Sequence, residues 1–293
     1  MTYATLMVHL ELGRSNSQLL QLAGELAERC HAGVLGIAAS PPAQIVGGEA
    51  YFSAESFEQV RTELAKELKE AEAEFRDTLQ TRAAALEWRS TTNCASLSDY
   101  LAHEARSVDL VIAGIDSGDL FDASRALNAS DLVMQAGRFD ASRTLNTSDL
   151  VMQAGRPVLL VPSVVDRLKL ERVIVGWKDT RETRRAISDA LPLLKAATEV
   201  TIVEIVSEKG LATARARLAD VVGWLKRHGV EATSMVTPSS RDAATELYAI
   251  ARAKAADVIV AGAYGHSRLR QWALGGVTQD LLLRADRCAL VSH

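Results

Sequence analysis

The sequence predicts an α/β protein made of two tandem Rossmann-like domains, each a five-stranded parallel sheet of order 3-2-1-4-5 covered by helices. Three observations carry this. The chain has 293 residues, long for a single core. A β-rich run, a helical pattern and another β-rich run alternate along it, and the whole series occurs twice. The run Asp109-Leu110-Val111-Ile112-Ala113-Gly114 is nearly repeated as Asp257-Val258-Ile259-Val260-Ala261-Gly262, a repeat on the scale of a domain.

In chain order, the first half places strands at residues 5–10, 34–39, 86–91, 109–114 and 157–161. The second half places them at 172–176, 200–206, 231–236, 257–262 and 288–291. These runs are short and rich in β-branched residues, with little polar alternation, as suits strands covered on both faces. Between the second and third strands, Phe57, Val60, Leu64, Leu68, Ala71, Phe75 and Leu79 recur at helical spacing with Glu and Lys between them. That stripe is expected to be a packing face and the charges a solvated one. The charged seam after Pro162, residues 163–169, divides the chain into domains at 1–163 and 168–293.

Within the first half, residues 121–138 and 139–156 are adjacent copies that differ only at Ala126/Thr144 and Ala129/Thr147. One copy is expected to be surplus to the fold. A helical block of that length makes about five turns and returns the chain to the same face. Alternatively, capping residues such as Asn146, Ser148 and Asp149 start a separate short helix and the other copy loops out.

Nearly half the residues are apolar and a quarter charged, which describes a globular chain rather than a disordered one. A net charge of -4 supplies no overall basic field for nucleic acid. The start, Met1-Thr2-Tyr3, lacks a basic region followed by an apolar core, and no run approaches the length of a membrane span, so a cytoplasmic protein is expected. Cys30, Cys94 and Cys288 are far apart and read as free thiols.

Residues 262–278 are the most informative segment. They run from the end of the second half's fourth strand to a helical pattern at 279–285. Glycines there let the backbone approach a ligand, and a helix N-terminus offers free N–H groups to phosphate. In a doubly wound sheet, ligands sit beyond the C-terminal strand ends where the strand order reverses, which adds the loop after residue 176. Ordinary turn glycines are the competing reading.

This segment and the twice-repeated strand series resemble the universal stress protein family in its tandem two-domain form. The family pattern is Gly, two residues, Gly, nine residues, then Gly followed by Ser or Thr. Gly262, Gly265 and Gly275 fit it, Gly276 replaces the Ser or Thr, and Val277-Thr278 continue it. The resemblance spans essentially the whole chain apart from one copy of the duplicated block. It implies ATP or ADP, with or without Mg, in the second domain. The phosphates would lie on Gly275, Gly276 and Thr278, and the adenosine near the first-strand loop. Nucleotide-binding relatives usually carry an Asp in that loop; here Lys178 stands beside Trp177 and Asp179. Lys178 either meets a phosphate or is solvated, and Trp177 either covers a base or packs.

The first half lacks the pattern: Gly114 is followed by Ile115-Asp116-Ser117-Gly118, and Thr144-Leu145-Asn146-Thr147 stands where the second glycine pair should be. It is expected to be a non-binding partner completing an intramolecular pseudo-dimer, with further homodimerisation left open.

No two histidines have metal-ligand spacing, and no nucleophile elbow or Walker loop occurs. His266, Arg268 and Arg270 could neighbour a phosphate, and Glu11, Asp179 and Asp242 are bases on paper. No catalytic residue is assigned; the resemblance allows at most slow ATP hydrolysis or self-phosphorylation. The leading expectation is a stress-response regulatory protein that binds nucleotide in its second domain and acts on a protein partner. The alternative is a pseudo-dimeric scaffold that binds none.

Overall fold

A computed structural model of the chain describes residues 2–41, 54–115, 145–238, 242–263 and 286–293. The first half contributes β1 (Thr5–His9), α1 (Ser17–Cys30), β2 (Gly33–Ala39), α2 (Ala54–Leu79), β3 (Leu86–Thr91), α3 (Leu97–Glu104), β4 (Leu110–Ile115), α4 (Thr147–Gln153) and β5 (Val158–Pro162). The second contributes β6 (Arg172–Trp177), α5 (Arg181–Asp189), α6 (Leu191–Ala196), β7 (Glu199–Val206), α7 (Leu211–Arg227), β8 (Ala232–Pro238), α8 (Ala243–Ala253), β9 (Val258–Gly262) and β10 (Cys288–Ser292). The strands lie within one or two residues of their sequence-predicted bounds. The helix expected at 279–285 lies outside the described residues.

Each half has the predicted order 3-2-1-4-5 with parallel neighbours, but the two sheets are not separate. They form one ten-stranded sheet of order β3-β2-β1-β4-β5-β10-β9-β6-β7-β8. The join is antiparallel, pairing Ala289 with Leu160, Leu290 with Leu159 and Val291 with Val158. An uncapped edge presents unpaired N–H and C=O groups, and here the fifth strand of each half satisfies the other's. The pseudo-dimer is thus a continuous hydrogen-bonded sheet.

The aspartate that opens each copy of the repeat has a structural role. Asp109 Oδ2 accepts from the N–H groups of Ala4 (2.7 Å) and Thr5 (3.0 Å), just as Asp257 Oδ2 accepts from Glu171 (2.8 Å) and Arg172 (2.9 Å). Each carboxylate ties the start of its half's first strand to the fourth, with the charge strengthening both bonds.

Alternate residues of the strands enter different cores. Leu6 and Val8 of β1, with Val173 and Val175 of β6, face a layer formed by α1, α2, α5, α6 and α7. On the other face, α3 and α4 cover Met7, Leu35 and Val111, while α8 covers Ile174 and Ile259. Burial on both faces is why these strands read as near-continuous apolar runs.

The α2 stripe packs only in part. Ala71, Phe75 and Leu79 are buried, whereas Val60 is half exposed. At 1.5 Å per residue the helix is about 39 Å long, whereas strands of six or seven residues reach about 23 Å, so its first turns run past the sheet. In the second copy of the duplicated block, α4 starts where Asn146 accepts a hydrogen bond from Asp149 N–H (3.1 Å), a cap worth about 1 kcal/mol. The first copy, residues 121–138, lies outside the described residues.

Candidate functional site

The reversal of strand order in the second half falls between β6 and β9. Gly176 pairs with Ala261, so Trp177-Lys178 and Gly262 leave the sheet at the same end of adjacent strands. From β6 the chain turns into α5, whose N-cap Thr180 accepts from Thr183 N–H at 3.4 Å. Asp179, a base on paper, is ion-paired with Arg184 at 2.7 Å. Asp242, another, caps α8 by accepting from Ala244 (3.1 Å) and Thr245 (3.2 Å).

Gly262 sits against the first turn of α5. A Cβ there would lie 2.5 Å from Thr183 N and 2.7 Å from the Glu182 carbonyl carbon. The bare backbone at Gly262 therefore admits a helix, a different reason for glycine from the close approach to ligand that the motif suggests. Gly265, Gly275, Gly276, Val277 and Thr278 lie outside the described residues, as do His266, Arg268 and Arg270.

Trp177 is buried within the core under α5, α6 and α7, so its ring packs. Its indole Nε1 finds no hydrogen-bond acceptor among the described residues. Trp177 pairs with Glu204 of β7, which is 3% exposed and ion-paired with Arg217 of α7 at 2.5 Å. Glu204 Oε2 and Arg217 Nε are likewise buried without partners among the described residues. Buried polar atoms normally have partners, and an unmet one costs about 1–3 kcal/mol. At the matching positions of the first half stand Leu10 and Ala38, both buried and apolar. Sequence reasoning missed this group. Its one signal is Glu204, the one charge inside the β-branched run 200–206.

Lys178 is exposed and has no ion-pair partner among the described residues. Its counterpart in the first half is Glu11, which pairs with Arg14 at 3.4 Å. The loop after β1 is closed by its own side chains. Asn16 Oδ1 accepts from Glu11 N–H (2.9 Å), Asn16 Nδ2 donates to Glu11 O (3.0 Å), and the Glu74 carboxylate from α2 accepts from Asn16 N–H (3.1 Å) and Ser15 Oγ (2.9 Å). A carboxylate thus already occupies the donor end of α1, where an anion would otherwise bind.

His9, at the end of β1, is fully buried, and burial lowers its pKa from 6.5 to about 4, leaving a neutral ring at pH 7. Gly176 holds the matching place in β6. Burial, with a smaller contribution from Asp257, pushes the Cys288 thiol up to about 12. Cys94 is also buried and Cys30 half-buried; all three are free. Among the described residues, no cluster of His, Cys, Asp and Glu could hold a metal, and no helix is long and apolar enough to cross a membrane.

The fold and crevice define a doubly wound α/β protein whose two units share one sheet. Its architecture is similar to that of a universal stress protein from Archaeoglobus fulgidus DSM 4304, at 14% identity and a TM-score of 0.68, covering 98% of this chain and 95% of that one. It is also similar to a functionally unknown protein from Pseudomonas aeruginosa PAO1, at 14% identity and a TM-score of 0.58, covering 99% and 92%. No family model and no curated protein matches the sequence. The chain has the universal stress protein fold, with two five-stranded units in tandem.

Proposed function

We propose that the protein is a stress-response regulatory protein that binds ATP or ADP, with or without Mg, in the crevice of its second half, while the first half binds none. The observation that carries this reading is the opposite charge left at the two first-strand loops once the helices that reach them are counted: Arg184 answers Asp179 beside Lys178, while Glu74 adds an acid beside the Glu11–Arg14 pair. Lys178 stands exposed beyond β6 with no ion-pair partner among the described residues, whereas Glu11 and Glu74 lie at the corresponding loop of the first half, which Glu74 and Asn16 tie by hydrogen bonds. Polyphosphate is drawn to the former and repelled by the latter. The glycine pattern of Gly262, Gly265, Gly275 and Gly276 with Val277 and Thr278 supports the same half.

A second reading, a scaffold that binds no nucleotide, is favoured by Trp177 being packed in the core and Gly262 being taken up by α5. Calorimetric titration of nucleotide-stripped protein with ADP and ATP, each with magnesium, separates the two. One site per chain, lost in Gly265→Asp, supports nucleotide binding; absence of heat with both nucleotides supports the scaffold.

A further inference from the structure

Three carboxylates on or just before α5 each have an arginine of that helix. Asp179 pairs with Arg184 at 2.7 Å, Glu182 with Arg181 at 2.7 Å and Asp189 with Arg185 at 3.6 Å. Lys178, in the loop that leads into α5, has no ion-pair partner among the described residues. The Asp179–Arg184 contact is the one that bears on it. Arg184 Nε (3.2 Å) and Nη2 (2.7 Å) both donate to Asp179 Oδ1, and Thr180 N–H donates to the Lys178 carbonyl at 2.6 Å, so the chain bends tightly at Asp179. In the first half, Glu74 has no such answer: it stands beside the Glu11–Arg14 pair with no ion-pair partner among the described residues.

Without the Arg184 guanidinium, the carboxylate of Asp179 would face Lys178 one residue away. The ammonium rides on a flexible four-carbon stem and would turn to that carboxylate, or have its field cancelled by it. We propose that Arg184 is a positioning residue for the crevice of the second half: by holding Asp179 it keeps the Lys178 ammonium available to a polyphosphate. This rests on the nucleotide reading above and adds to it the residue that preserves its cation. Both side chains of the pair are about half exposed, so solvent screens them and the effect on affinity is modest.

The test is calorimetric titration of the full-length protein with ADP and with adenosine. Arg184→Gln is expected to weaken ADP about fivefold, the upper range for an exposed ion pair, and to leave adenosine, which has no phosphate, unchanged. Arg184→Lys keeps the charge and should retain most of the affinity. Arg184→Gln/Asp179→Asn should restore the affinity of the unmodified protein, since no carboxylate is left to engage Lys178. On a Lys178→Gln background, Arg184→Gln should have no further effect, because it acts through Lys178. Equal losses for ADP and adenosine, a loss that Asp179→Asn does not repair, or a full additional loss on the Lys178→Gln background would overturn the proposal. If ADP binding is weakened by Lys178→Gln but not by Arg184→Gln, the positioning role alone fails. If the unmodified protein binds no ADP, the nucleotide reading fails with it. Arg184 is exposed and Gln suits a helix, so the variants are expected to keep the fold, which their melting curves check.

Discussion

The two halves share a strand order and a stitching aspartate, yet they differ wherever a strand of the central pair leaves the sheet. At the end of β1 the first half has His9, Leu10 and Glu11, followed by a loop that Asn16 and Glu74 close. At the end of β6 the second half has Gly176, Trp177 and Lys178, with the buried Glu204 paired to Arg217 nearby and, at Lys178, a cation with no ion-pair partner among the described residues. The shared features hold the sheet together, and the differences cluster where doubly wound folds bind ligands. A duplicated fold can therefore keep its framework in both copies while one copy ties its first-strand loop with its own side chains.

The fourth-strand glycines give the sharpest contrast in stability. A Cβ on Gly262 would collide with the α5 backbone, whereas one on Gly114 would meet its nearest described neighbour, Glu11 Oε1, at 3.6 Å. Gly262→Ala is expected to cost about 3 kcal/mol and Gly114→Ala under about 0.5 kcal/mol, read from urea denaturation. Equal costs would break the asymmetry.

Acid sensitivity should follow the first half. His9 has a folded pKa of about 4 against 6.5 for the free side chain, so the unfolded chain binds the proton more readily between those values. The stability His9 retains above pH 6.5 is lost as pH falls toward 4, by about 2 kcal/mol at pH 5. His9→Gln should flatten the pH dependence in that window. An unchanged slope would remove His9 as its source.

Ligand affinity should follow the second half. Lys178→Glu is expected to weaken ADP at least about tenfold, or about 1.4 kcal/mol, and Glu11→Lys to leave it unchanged, both read by calorimetry. The reverse pattern would move the site to the first half. The smallest effect tests the symmetry itself: Asp109→Asn and Asp257→Asn should each cost about 1 kcal/mol, because each weakens the same pair of hydrogen bonds. Unequal costs would show that the two stitches are not equivalent.

Much of the fold was legible because strands and helices announce themselves locally. The run Asp257 to Gly262 could be recognised from its β-branched residues, and its likeness to Asp109 to Gly114 revealed the duplication. The candidate site was legible only as a motif. That Gly262 meets α5, that Trp177 packs and that Glu74 reaches the start of α1 all depend on partners distant in the chain. The exposure of α2 at Val60 escaped notice for a related reason: a helical stripe records periodicity, not how far the sheet beneath it extends.

By itself, the sequence determined the α/β class, the twofold series of five strands and their bounds within a residue or two, since hydrophobic period and turn chemistry act over neighbouring residues. The tertiary structure alone decided that β5 and β10 fuse the halves into one sheet and that Glu74 of α2 reaches the loop after β1. Each arises from groups brought together across long loops, where edge pairing, burial and charge act on positions that no local pattern relates.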